Sequence, residues 1–228
     1  MEPLASKIRP KNLDEFIGQE HLVGAGNPST GLRAGPLRVA IEKKHLFSFI
    51  FWGPPGVGKT TLAKIYAHAL DAELYELSAV SAGKDDIKKI LKDNAHIKHR
   101  VFNVGQPKVL FLDEIHRFNK AQQDFLLPFV ESGQLTLIGA TTENPSFEVI
   151  SPLLSRCRVF TLSELSDSEM AKIIDRTGLK LNKESKDWLI NMVNGDARQT
   201  IGLLEATQNL YGKITLDNLK NALQSKFL

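Results

Sequence analysis

Eight consecutive residues, Gly53-Pro54-Pro55-Gly56-Val57-Gly58-Lys59-Thr60, constrain this 228-residue chain more than any other stretch. Glycine opens backbone conformations that other residues avoid, and proline removes an N–H donor, so no regular element can run through Gly53 to Gly58. Before them stands an apolar run of strand length, Leu46 to Trp52. After them, Lys59 to Leu70 has helical spacing, with Leu62, Ile65, Tyr66 and Leu70 on one face. A glycine loop between a strand and a helix turns its N–H groups inward, and the helix adds its positive end, which together suit phosphate. Gly53, Gly58, Lys59 and Thr60 meet the spacing GxxxxGK[ST]. Lys59 is expected to reach the β- and γ-phosphates of ATP, and the Thr60 hydroxyl to sit on Mg²⁺. Pro54, Pro55, Gly56, Val57 and Thr61 complete the expected nucleotide contacts. The plainer alternative is a Gly/Pro-rich turn without a ligand.

A second stretch answers the first. Val109-Leu110-Phe111-Leu112-Asp113-Glu114 carries carboxylates to the end of a buried-strand signature, where an open parallel sheet keeps its ligands. Asp113 is the expected partner of Mg²⁺, directly or through water, and Glu114 is placed to orient and activate the attacking water. A strand followed by an acidic turn is the alternative. The adjacent carboxylates point to hydrolysis as well as binding.

Strands and helices alternate as far as residue 162. Residues 1–36 read as an irregular, Gly/Pro-punctuated lead-in, and Leu37–Lys44 as a short helix. Leu74–Leu77 is a weak strand, and Lys84–Lys98 a polar helix. Lys108–Leu112 is a strand, and Asn119–Val130 a helix that Asn119 can cap. Leu135–Ala140, Val149–Ser155 and Cys157–Leu162 follow as strand, short helix and strand. This pattern predicts an α/β domain over 1–162, a mostly parallel sheet covered on both faces. From Ser163 only helical periodicities remain, over Ser166–Thr177, Lys183–Val193, Asp196–Leu210 and Leu216–Phe227, so 163–228 is expected to be a small all-helical domain.

Composition narrows the setting. Hydrophobic residues make up 42% and charged residues 24%, which suits a globular protein and argues against wholesale disorder. No apolar stretch reaches the ~18 residues of a membrane span. Met1 to Lys7 has no apolar signal core, and the lone Cys157 has no partner in the chain, so a reducing cytoplasm is the expected compartment. His96, His99 and His116 do not have metal spacing, so Mg²⁺ brought by ATP is the only metal expected. The net charge of +3 is compatible with nucleic acid without demanding it.

Two arginines are candidates for neutralising charge on the γ-phosphoryl oxygens: Arg156, just before the last strand, and Arg198, near the start of a helix in the second domain. A surface salt bridge or a helix-face charge is the alternative for each. Lys84, Lys88, Lys92 and, less regularly, Lys98 and Arg100 put positive charge along the polar helix. That stripe suits phosphate-directed, salt-sensitive DNA contact. Asp85, Asp86 and Asp93 are interleaved with it, as on any solvated helix.

Longer stretches carry a resemblance. Val109-to-Phe118 reads VLFLDEIHRF and continues NKAQQD. Thr136-to-Phe147 reads TLIGATTENPSF, Leu153-to-Cys157 reads LLSRC, and Arg9-to-Gly24 reads RPKNLDEFIGQEHLVG. From about Leu4 to Leu204 the chain resembles the replication-associated recombination protein A family, the bacterial relatives of the eukaryotic Werner-helicase-interacting ATPase, in the clamp-loader branch of AAA+ proteins. The resemblance implies Lys59 and Thr60 as the Walker A pair and Asp113 and Glu114 as the Walker B pair. Thr142 matches the sensor 1 position, with Thr141 its rival. Arg156 matches the arginine finger that enters a neighbouring subunit's site, and Arg198 the sensor 2 arginine of a helical lid over the nucleotide. Phe16, Ile17 and Gly18 match the segment that packs around adenine.

The resemblance also implies a DNA-stimulated ATPase in replication-fork maintenance, recombination and repair, associated with the nucleoid. Its implied partners are forked or single-stranded DNA, replication proteins such as single-strand binding protein, and further copies of itself. Members of the family are longer and follow the lid with a tetramer-forming helical region. A chain ending at Leu228 is therefore expected to be a fragment or a reduced member, and a monomer as a fragment. The stretch between Ile173 and Trp188 is shorter than the usual first half of the lid. A clamp-loading or branch-migration subunit, or a scaffold that binds ATP without turnover, is the competing expectation.

Overall fold

Among the described residues, five short segments become strands, and every pairing among them is parallel: β1 (Phe49–Trp52), β2 (Glu73–Ser78), β3 (Lys108–Asp113), β4 (Thr136–Thr141) and β5 (Arg158–Thr161), in the order β2-β3-β4-β1-β5. The computed structural model describes residues 2–24, 34–92 and 106–224. By packing, the chain divides into two units. One takes His21–Gly53 and Lys59–Thr161; the other takes Met1–Glu20, Pro54–Gly58 and Leu162–Leu228.

The first unit holds the sheet. Its helices are α3 (Pro36–Glu42), α4 (Lys59–Ala69), α5 (Lys84–Lys92), α6 (Lys120–Glu131), α7 (Pro145–Glu148) and α8 (Ser151–Leu154); α2 (Glu20–Val23) leads into it. Successive side chains of a strand point to opposite faces, so β1 serves two cores. Ile50 joins Ile87, Leu110, Leu112, Leu126 and Leu137 on one side. Phe49 and Phe51 form an aromatic cluster with Phe160 and Tyr66, the Phe49 ring centre lying 5.1 Å from that of Tyr66 and 5.4 Å from that of Phe160. Tyr66 is buried there without a stranded hydroxyl: it donates to His45 O at 2.8 Å and accepts from Phe47 N. Burial pushes its pKa up to about 12, with the Phe47 N–H pulling the other way. Lys108, at the start of β3, is buried over the Tyr75 ring and donates to Ile90 O near the end of α5.

The second unit holds α1 (Leu4–Lys7) and four longer helices, α9 (Asp167–Arg176), α10 (Lys183–Val193), α11 (Ala197–Tyr211) and α12 (Leu216–Gln224). Their core contains Met170, Ile174, Leu189, Leu204 and Leu219. Side chains cap three of these helices: Ser166 in a capping box with Glu169, Asn182 on Ser185 N, and Asp196 on Gln199 N. The lead-in packs here as well. Leu4 N donates to Glu205 Oε1 at 2.8 Å, and Gln19, itself buried, exchanges two hydrogen bonds with the Ser163 backbone.

The parallel sheet and the all-helical segment follow the sequence reading. Some details differ, and part of one expectation lies outside the described residues. β1 begins at Phe49, because Ser48 meets its neighbours otherwise: its Oγ accepts from Leu137 N, and its carbonyl from Arg158 N. The lead-in is not wholly irregular, since it contains α1 and α2; four-residue helices are too short to show a period. The same holds for α7 and for a 3₁₀ turn at Ile115–Arg117. The polar helix is described to Lys92, and the expectation for 93–98 lies outside the described residues.

The stretch NKAQQD has a structural explanation. Asn119 caps α6 in a capping box with Gln122. Gln123, almost fully buried, donates from Nε2 to Phe118 O and Glu148 O, both at 2.9 Å, and its Oε1 accepts from Ile150 N at 2.9 Å. One side chain therefore joins α6 to the segment that carries α7 and α8. Gln123→Ala strands these backbone groups and should destabilise the fold by roughly 1–3 kcal/mol. A lower urea midpoint with unchanged slope is the expected result; an unchanged midpoint would show that the three bonds contribute nothing net.

Candidate nucleotide site

Parallel pairing brings all five strand ends to one edge of the sheet, where open α/β sheets bind ligands. In the first unit, β1 ends at Trp52, in register with Thr141 of β4 and Thr161 of β5. Gly53 N continues the ladder by donating to Thr141 O at 3.1 Å. Lys59, buried in the first turn of α4, donates from Nζ to Gly53 O at 2.7 Å and so joins the two ends of the glycine loop. Thr60 and Thr61, half-buried, follow in the same turn. β3 ends at Asp113, in register with Ser78 of β2. Glu114 comes next, in the left-handed region at φ 56°, and its N–H approaches Asp113 Oδ1 at 3.2 Å. Gly53, Asp113, Glu114, Thr141 and Thr142 thus stand at or just past the ends of three adjacent strands of one unit, with Lys59, Thr60 and Thr61 in the first turn of α4.

The second unit brings together the remaining loop residues and the lead-in. Gly56 and Gly58 have φ of 73° and 102°, conformations that favour glycine. A Cβ on Gly58 would come within 2.6 Å of the Phe16 ring. One on Gly56 would overlap the Asp196 carboxylate and lie 2.9 Å from Asp196 Cα. Phe16 therefore lies against the glycine loop, and so does the start of α11, whose first turn carries Arg198. Gly18 packs on Leu165 and Glu169; Phe16 and Ile17 are half-buried. Pro54, Pro55 and Val57 lie in the same loop, Val57 buried. Arg198 lines a cleft with Gln199, Gly202, Ala206 and Leu223.

Thr141 and Thr142 differ sharply. Thr141 is fully buried: its Oγ1 accepts from Glu143 N at 2.9 Å and contacts His116 Nδ1 at 2.9 Å. Thr142 is exposed. Arg156 is held within its own unit. It pairs with Glu131 at the end of α6 and donates to Pro152 O at 2.7 Å and Ser155 Oγ at 3.1 Å. Sequence reasoning passed over His116 as a residue without metal spacing. The structure puts its ring between Thr141 and Glu114, with Nε2 3.2 Å from Glu114 Oε2. It also passed over Asp196, which caps α11 and lies against Gly56.

The donors on hand are hard oxygens, the Thr60 hydroxyl and the Asp113 carboxylate. That set fits Mg²⁺, an ion that takes one or two carboxylates and completes its shell with phosphates and water. Among the described residues no group of three or more His, Cys, Asp or Glu could hold a metal. Of the lysine stripe, Lys88 pairs with Asp85, and both Lys84 and Lys88 stand over the Phe125 ring; Lys98 and Arg100 lie outside the described residues. No described helix is long and apolar enough to cross a membrane.

A left-handed glycine cannot be replaced cheaply. Gly56→Ala should lower stability by about 1–3 kcal/mol through backbone strain and the overlap with Asp196. Adding Asp196→Gly should restore part of it, read as thermal midpoints. A Gly56→Ala protein as stable as the parent would refute the close approach.

Residues 49–165 match the family described as ATPase family associated with various cellular activities (AAA). The chain is 43% identical over 215 residues to replication-associated recombination protein A of Escherichia coli K12, covering 90% of this chain and 45% of that protein. It is 42% identical over 213 residues to ATPase WRNIP1 of Dictyostelium discoideum, covering 89% and 23%. The Holliday junction branch migration motor RuvB of Thermotoga maritima superposes with a TM-score of 0.72 at 30% identity, covering 96% of this chain and 72% of that one. The chain spans less than half the length of these two curated relatives. With the glycine loop, the carboxylate pair and the parallel sheet in place, the chain belongs to the AAA family of ATPases.

Proposed function

We propose that this chain is the ATP-hydrolysing part of a DNA-directed ATPase of the kind named by its replication-associated recombination relatives. The observation that carries the proposal is the row of strand ends in one unit. The Lys59 ammonium is tied to Gly53 after β1, Asp113 ends β3 with Glu114 next to it, and β4 ends between them at Thr141.

Each residue has a chemical part. Lys59 brings a buried positive charge to the glycine loop, where the N–H groups and the start of α4 favour anions, and would bind the β- and γ-phosphates. Thr60 and Asp113 would hold Mg²⁺, which when bound neutralises phosphate charge. Glu114 would orient and deprotonate the attacking water, and Thr142, exposed beside it in sequence to the buried Thr141, would sense the γ-phosphate. Phe16, Ile17 and Gly18 would border the adenine. Arg198 would act as the sensor of a helical lid formed by 163–228, and Arg156, once released from Glu131, would serve the site of a second copy. DNA is the proposed substrate surface, contacted through α5.

Steady-state hydrolysis with and without single-stranded and forked DNA tests the reading. Lys59→Ala should lose ATP affinity. Glu114→Gln should keep ATP binding while kcat falls by about 10²-fold or more. Turnover that survives Glu114→Gln would sink the catalytic assignment. For DNA, replacing Lys84, Lys88 and Lys92 together by Ala should weaken binding equally across sequences. The slope of log K against log salt should drop by about 2 for single strands. An unchanged slope would place the DNA elsewhere. The superposition on RuvB favours a branch-migration subunit as a second reading, and a marked preference for four-way junctions over forks would select it.

A further inference from the structure

We propose that His116 is a positioning residue for ATP hydrolysis, its imidazole joining the Thr141 hydroxyl at the end of β4 to the Glu114 carboxylate at the end of β3. The proposal rests on the assignment of Glu114 as the group that activates water. The contacts are direct: Nδ1 lies 2.9 Å from Thr141 Oγ1, and Nε2 lies 3.2 Å from Glu114 Oε2. The His116 side chain is only 9% exposed, held on the 3₁₀ turn between the buried Ile115 and Phe118. Its place is therefore set by packing. Glu114 is set less firmly: its side chain is 35% exposed and its backbone is left-handed, so the carboxylate needs a partner to hold one direction.

Hydrogen-bond bookkeeping makes the link more than a prop. A carboxylate only accepts, so His116 Nε2 must carry the hydrogen that faces Glu114. In the neutral ring Nδ1 then accepts, and the single Thr141 hydrogen points to it. In the charged ring Nδ1 donates, and the Thr141 hydrogen turns to Glu143 O, 3.2 Å away. The same hydroxyl accepts from Glu143 N at 2.9 Å in both states. The segment Thr141–Glu143, which contains the proposed phosphate sensor Thr142, is thereby tied to the orientation of the water-activating carboxylate. One Glu114 oxygen faces the imidazole, leaving Oε1 for water.

Displacing a catalytic group by about an ångström can cost on the order of 10²-fold in rate. His116→Ala should therefore lower kcat by roughly 10- to 100-fold while ATP affinity stays within about 2-fold, and His116→Gln, which can still donate to Glu114, should recover part of the loss. Thr141→Val should act through the same link, so the double variant with His116→Ala should be no slower than His116→Ala alone. Long-range ¹H–¹⁵N spectra of the histidine rings in the full chain give a readout that needs no turnover. Glu114→Gln should move the Nε2 signal of His116, and Thr141→Val its Nδ1 signal. Hydrolysis that survives Glu114→Gln would overturn the assignment of Glu114 and this proposal with it. Hydrolysis lost in Glu114→Gln but kept at full kcat in His116→Ala would overturn the positioning role alone. Ring signals that respond to neither neighbour would do the same.

Discussion

Parallel pairing of β1 between β4 and β5 is the constraint from which the site follows. It forces the chain to return to the same end of the sheet after every strand, so every loop leaving a strand end leaves from one edge. Gly53, Asp113 and Thr141 lie far apart in sequence and become neighbours only through that rule. The register does the rest. With Trp52 opposite Thr141, the Gly53 N–H finds the Thr141 carbonyl, and the Gly53 carbonyl is left facing the Lys59 ammonium.

Within each unit, buried polar side chains join separate segments through hydrogen bonds. Gln123 satisfies three backbone groups at once, Tyr66 two, and Gln19 both sides of Ser163. An unsatisfied buried donor or acceptor costs more than a made hydrogen bond gains, so each of these side chains specifies one arrangement of the segments it joins. His116 belongs to the same class by burial. It differs in what it touches, since one of its partners is a carboxylate at the proposed reaction centre.

Much of the fold was legible because its elements are long or punctuated. α6 announces itself with the cap Asn119 before an apolar period, α9 with its helical period, and β3 and β4 with apolar runs ending in polar residues. The glycine loop and the carboxylate pair were readable for the same reason: adjacent residues carry each of them. The short helices were not, because one turn has no period to detect. Nor was β1's true start, since Ser48 resembles its apolar neighbours only in position, and its hydroxyl takes a bond that a strand backbone would otherwise make.

Local pattern, then, was determined by sequence: a glycine loop between a strand and a helix, an aspartate beside a glutamate at a strand end, apolar runs that pair into a sheet, and the helical periods that follow. These depend on residues close together in the chain, whose spacing the backbone enforces. Tertiary structure alone decided that Phe16 and Asp196 lie against the glycine loop, that Arg156 is occupied by Glu131, and that His116 faces both Thr141 and Glu114. Apart from the neighbouring His116 and Glu114, such contacts join residues far apart in the chain. Packing of whole strands and helices selects them, and no spacing along the sequence records the outcome.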